Sequence, residues 1–147
     1  MTDDKDVAKE LVETLRDGER GYSSAAEKVR GGERSEWATT LQHFAEQRAD
    51  FRREIVKLGA EYQDDVDESG TAVAALHRGW IALKDALSGD DPEGVLAAAV
   101  TGEDHTVSEY DKALEADLSA GFREVVVRQR AAIVAARDEV KALENAG

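Results

Sequence analysis

The chain has 147 residues, a formal net charge of −13, a sequence pI of about 4.6 and no cysteine. That length suits one domain, 1–147, with a sizeable core. The charge leaves no basic stripe for nucleic acid or an anionic membrane, and the lack of cysteine rules out disulfides, thiolate zinc sites and a cysteine nucleophile. The N-terminus, Met1-Thr2-Asp3-Asp4-Lys5-Asp6, is acidic and has no apolar core of a signal peptide. No apolar run approaches the roughly 18 residues of a membrane span, so a cytoplasmic location is expected.

Helix formers dominate, there is one proline, and β-branched runs are almost absent. The first predicted helix runs from about Asp4 to Arg30, with the stripe Ala8, Leu11, Val12, Leu15, Tyr22, Ala26 and Val29, and ends at Gly31-Gly32. The second runs from about Ser35 to Leu58. Its residues Trp37, Leu41, Phe44, Phe51, Ile55 and Leu58 alternate by threes and fours as a bundle seam does, and Gly59 is expected to stop it. The stretch Glu61 to Gly70 is acidic and loop-like. A shorter amphipathic helix follows from Thr71 to Leu87, with Val73, Leu76, Trp80, Leu83 and Leu87 on one side. After the break Ser88-Gly89-Asp90, Asp91 can cap and Pro92 fits the first position of a helix reaching about Ala116. The last helix runs from about Ser119 to Leu143, buried through Phe122, Val125, Val126, Ile133, Ala136, Val140 and Leu143.

Short joins make the first two long helices antiparallel neighbours, and likewise the last two. The connection between the pairs is about thirty residues and carries its own short helix, long enough to cross the whole molecule. The predicted fold is all-α, a ferritin-like four-helix bundle of two hairpins joined by one long crossover.

Polar residues break the apolar faces at one level. At about 100° per residue, Glu19 falls between Leu15 and Tyr22, Glu103 between Ala99 and Tyr110, and Arg48 between Phe44 and Phe51. On the last helix the phase turns Gln129 inward. The repeated triplets Gln47-Arg48-Ala49 and Gln129-Arg130-Ala131 instead match Arg130 to Arg48, so both residues stay candidates. Tyr22 and Tyr110 flank this layer and are expected to donate hydrogen bonds to it. His77 is expected at the core edge of the connecting helix.

The stretches Leu15-Arg16-Asp17-Gly18-Glu19-Arg20-Gly21-Tyr22, Gln47-Arg48-Ala49, Ala75-Leu76-His77-Arg78-Gly79-Trp80 and Gly102-Glu103-Asp104 resemble a bacterial family of ferritin-like four-helix bundles with no assigned function. The resemblance covers most of the chain and implies the fold without importing any chemistry. Ferritin-like di-metal proteins carry one Glu on each of two helices and Glu-x-x-His on the other two. This chain keeps the lone carboxylates Glu19 and Glu103, but Arg48 and Gln129 stand on the other helices with Phe51 and Ala132 three residues on. His43 and Glu46 phase outward, as does His105.

A di-metal centre also conflicts with charge balance. Two carboxylates and one guanidinium leave −1, or 0 if Arg130 turns in. Two divalent ions would then strand about three or four positive charges in a dry core, at several kcal/mol per ion. The acidic residues Asp64, Asp65, Asp67 and Glu68 lack the spacing of an EF-hand. The expected protein is therefore a non-enzymatic bundle with no metal or other cofactor, acting through its surface or by self-association in stress physiology. A monomer or weak homodimer is expected, with an unknown protein partner. The alternative is an iron-handling or other oxidative protein whose Glu19 and Glu103 hold iron or another divalent metal.

Overall fold

The computed structural model describes residues 2–61 and 78–146. These form five α-helices: α1 (Asp4–Arg30), α2 (Trp37–Glu61), α3 (Ile81–Leu87), α4 (Pro92–Leu114) and α5 (Ala120–Ala146). A single 3₁₀ turn, Arg78–Trp80, leads into α3. No strand occurs among the described residues.

Local chemistry accounts for the helix ends. Asp4 and Asp6 lie in the first turn of α1, and Lys28 and Arg30 in its last, complementing the helix dipole at both ends. At the start of α4, Asp91 is extended and its carboxylate accepts the Glu93 N–H at 3.1 Å, with Pro92 at the first position. Arg123 donates to the carbonyls of Leu114 and Ala116, each at 2.9 Å, and so satisfies backbone acceptors that the end of α4 leaves unpaired. The start of α1 is tied to the α4–α5 turn. The Asp3 N–H donates to the Asp117 carbonyl at 2.6 Å, and the buried Asp4 carboxylate accepts the Ser119 N–H at 2.9 Å.

The contacts fix the helix directions. On α1 and α2, Tyr22 meets Phe44 while Glu19 meets Arg52, so one helix ascends as the other descends. On α4 and α5, Asp104 meets Arg137 and Tyr110 meets Gln129, again antiparallel. Helix α1 also runs against α4, and α2 touches α5 through Phe51 and Glu54.

Apolar burial forms two clusters. One gathers Tyr22, Trp37, Leu41, Phe44, Trp80, Leu96 and Val140; the other gathers Leu11, Leu15, Ile55, Tyr110, Phe122, Val126 and Ile133. On α2 the division falls at Arg48, and on α4 at Glu103, so the polar pair sits where the two halves of the core meet.

Three expectations need correction or restriction. Helix α2 does not stop at Gly59 but continues to Glu61; a glycine costs only about 1 kcal/mol inside a helix and need not end it. Of the expected helix Thr71 to Leu87, the described part is the 3₁₀ turn and α3, and the rest, His77 included, lies outside the described residues. Val125 and Leu143 are only partly buried, at the margin of their clusters.

Candidate functional site

Arg48 of α2 and Glu103 of α4 form a two-pronged ion pair in the middle of the core. Nη2 donates to Oε2 at 2.6 Å and Nη1 donates to Oε1, and neither side chain has any solvent exposure. Arg48 Nε donates to Gln47 Oε1 at 3.2 Å, so three directions of the guanidinium are satisfied. The Tyr22 ring lies 5.2 Å from Arg48 Cζ, a cation–π contact out of reach of water. Bidentate geometry is what makes such a pair tolerable, because both charges are neutralised where water cannot help.

The electrostatics keep Arg48 charged and the flanking phenols neutral. Burial acts to lower the Arg48 pKa, but the Glu103 carboxylate outweighs it and holds the guanidinium above its ordinary range. Burial pushes the Tyr22 phenol well up, and the Glu103 charge adds to that. Burial likewise raises Tyr110; Arg48 opposes this, while Glu103 and Glu54 reinforce it. Both phenols therefore stay protonated at neutral pH.

Gln129, fully buried on α5, belongs to a second polar unit. Its Oε1 accepts the Tyr110 hydroxyl at 2.7 Å, and its Nε2 donates to Glu54 Oε1 at 2.8 Å and to the Phe51 carbonyl at 3.3 Å. Glu54 is closed off by Arg128 on the outer side. Burial raises the Glu54 pKa, but hydrogen bonds from Arg128 and Gln129 and the Arg128 charge bring it below its ordinary value of 4.5. Arg130 does not enter the core. Its Nε donates to Asp111 Oδ1 at 2.5 Å on the surface, so helical phase, and not the repeated triplet, identified the inward residue of α5.

Glu19 stands apart from this centre. Its side chain keeps 29% of its surface exposed, and its Oε1 accepts from Arg52 Nη2 at 3.0 Å and Nε at 3.3 Å. The reason lies in the phase of α1: Leu15, Gly18 and Tyr22 are buried, so the face runs through Gly18 and leaves Glu19 on the flank. Gly102, by contrast, shares the buried face of α4 with Glu103. Tyr110 donates as expected, whereas the Tyr22 hydroxyl, though buried, has no hydrogen-bond partner among the described residues.

The histidines divide. His43 and Glu46 are exposed, as their phase implies. His105, expected to face solvent, is instead overlaid by the 3₁₀ turn: a Cβ on Gly79 would fall 2.1 Å from its Cβ. His77 and the acidic residues Asp64, Asp65, Asp67 and Glu68 lie outside the described residues. Sequence reasoning missed Arg52 and Glu54. Arg52 could have been found by counting back along both helices from the α1–α2 turn, which sets the Arg48–Arg52 stretch opposite Glu19.

Among the described residues, no group of three or more His, Asp or Glu side chains could hold a metal ion. No helix is long and apolar enough to cross a membrane. Neither Arg48, Glu103 nor Gln129 lines the groove of about 390 Å³ between Val7 on α1 and Lys112 on α4, or the one between Glu27 and Pro92. No curated protein and no solved structure matches the chain. The family described as Domain of unknown function (DUF2383) matches residues 5–116, and the chain belongs to that family.

Proposed function

We propose that this is a non-enzymatic, cytoplasmic protein of ferritin-like four-helix-bundle type, in which an ion pair stands where di-metal relatives carry their metal. It acts through its surface and not through catalysis at its centre. The observation that carries this reading is the Arg48–Glu103 pair. Both Glu103 oxygens are engaged by Arg48, and Glu19 is engaged by Arg52. The element order supports the architecture: two antiparallel helix pairs are separated by a long connection, as in bundles with one crossover.

The residues present do not fit a di-metal group. Such a site needs carboxylates with free lone pairs and inward histidines. Here the two candidate carboxylates are on different levels of exposure and each already has a guanidinium partner. A fixed guanidinium cannot deprotonate to admit a cation. Elemental analysis of untagged protein purified without chelator, followed by thermal melting with ferrous, manganous or zinc ions, tests the proposal. The expected result is substoichiometric metal and an unchanged melting temperature. One tightly held metal per chain, with strong stabilisation, would establish instead the iron-handling reading based on Glu19 and Glu103.

A further inference from the structure

The segment from Gly79 to Asp90 is attached to the rest of the protein in an unusual way. Trp80 and Leu83 are its fully buried side chains, while Ile81 is 59% exposed and Ala82, Lys84, Asp85 and residues 88–90 face solvent. Among the described residues, no side-chain hydrogen bond or ion pair joins residues 79–90 to another helix. The Ser88 hydroxyl bonds to the Asp85 carbonyl within the segment, and the backbone bonds of Ser88 and Gly89 are also internal. Trp80 Nε1 is buried and has no hydrogen-bond partner among the described residues. The segment is thus held by the buried Trp80 and Leu83, by the half-buried Ala86 and Leu87 packed against the same core, and by shape.

The shape is specific. The Trp80 indole fills a slot between α1 and α4 that exists because Gly21 and Gly102 carry no side chain. A Cβ would lie 2.2 Å from Trp80 Cε3 in the first case and 2.3 Å from Cδ2 in the second. The slot borders the buried ion pair. The Tyr22 ring touches both Trp80, at 5.1 Å between centroids, and Arg48, and a Cβ on Gly18 would lie 3.5 Å from Arg48 Nη1 and 3.9 Å from Trp80 Cζ2. The indole and the Arg48 guanidinium are thus neighbours across the Tyr22 ring and the Gly18 backbone.

We infer that residues 79–90 form a separately opening unit, with Trp80 as the latch that closes the Gly21–Gly102 slot over the Arg48–Glu103 pair. Local opening of this kind is drawn from segments with few buried contacts and solvent-exposed backbone. Two fully buried side chains and two half-buried ones must offset the ordering of this stretch, whereas α1 and α2 each bury a full stripe. The inference rests on the packing alone and holds whether or not the proposed function is correct.

Native-state hydrogen exchange on the full chain tests it, read at amides of α3 against those in the middle of α1 and α2. The expected result is exchange at least about tenfold faster in α3, with weak dependence on low denaturant, as for opening that exposes little surface. A second measurement uses W37F, which leaves Trp80 as the remaining indole of the two in the chain. Acrylamide should quench Trp80 under native conditions, and G21A, whose methyl collides with the latch, should increase quenching while helical circular dichroism persists. If α3 amides exchange at the rate and with the denaturant dependence of the α1 core, the segment opens only with the whole protein and the inference is overturned. Should G21A fail to fold, the wild-type exchange pattern still decides.

Discussion

Trp80 occupies the space that a side chain at Gly102 would fill, so an indole from the connecting segment stands in for the missing residue of α4. The pairing explains a glycine in the buried face of a long helix, where it costs about 1 kcal/mol against alanine by propensity alone. Removing that cost should therefore not stabilise the protein. Gly102→Ala is expected to lose about 1–3 kcal/mol through overpacking against a rigid ring. Combining it with Trp80→Leu, which vacates the ring, should give a smaller loss than the two changes summed. Urea unfolding of the single and double variants measures the coupling; strict additivity would show that the two residues do not compete for one space.

Tyr110 and Tyr22 flank the centre alike in sequence but not in bonding. Tyr110 donates to a buried Gln129, so Tyr110→Phe leaves an amide oxygen unpaired and should cost about 1–3 kcal/mol. The Tyr22 hydroxyl makes no hydrogen bond among the described residues, so Tyr22→Phe should cost less than Tyr110→Phe, under about 1 kcal/mol. Equal losses in denaturant titrations would contradict this assignment.

How much of this was legible in the sequence differs from element to element. The stripe of α1 and the Asp91-Pro92 start of α4 follow from spacing and capping, and both are present. Arg48, Glu103 and Gln129 fall at fully buried positions because an apolar seam fixes the phase of its inward residues. Glu19 shows the limit. When glycine and glutamate are adjacent on a face, residues 100° apart, a stripe cannot say which of them is central, and on α1 the glycine is. Glu54 and Arg52 were illegible from any one helix, since their roles come from the register between helices. Nor does periodicity say that Gly21 and Gly102 face the same tryptophan.

The Glu54 unit gives a pH dependence. Its folded-state pKa lies below the ordinary 4.5, so the deprotonated form is favoured by folding. The stability it contributes is present above pH 4.5 and is lost as pH falls through the folded value. With 35% of the side chain exposed, solvent screening keeps the gain below about 1 kcal/mol. The stability difference between wild type and Glu54→Gln, measured by urea unfolding at pH 7 and again at pH 3, should shrink in acid. A difference that grows in acid would reverse the sign assigned to this group.

The ion pairs of Arg48 and Arg52 offer the sharpest contrast, because they sit one turn apart on α2 and differ in burial. Arg48→Met leaves the Glu103 carboxylate in a dry core without a partner, which should cost about 3–5 kcal/mol. Adding Glu103→Gln to Arg48→Met removes the stranded charge and should recover much of that loss. Arg48→Lys should rescue only poorly, because an ammonium cannot reproduce the two parallel bonds to Oε1 and Oε2. At the rim, Arg52→Met or Glu19→Gln should each cost under about 1 kcal/mol, since water can replace the lost partner. Adding Glu19→Gln to the Arg48→Met/Glu103→Gln pair should change little further. Thermal and urea melts of these variants measure the ordering directly. A loss at Glu19 as large as the loss at Arg48 would mean that the two carboxylates act as one centre, and would revive the shared-site reading that their separate partners argue against.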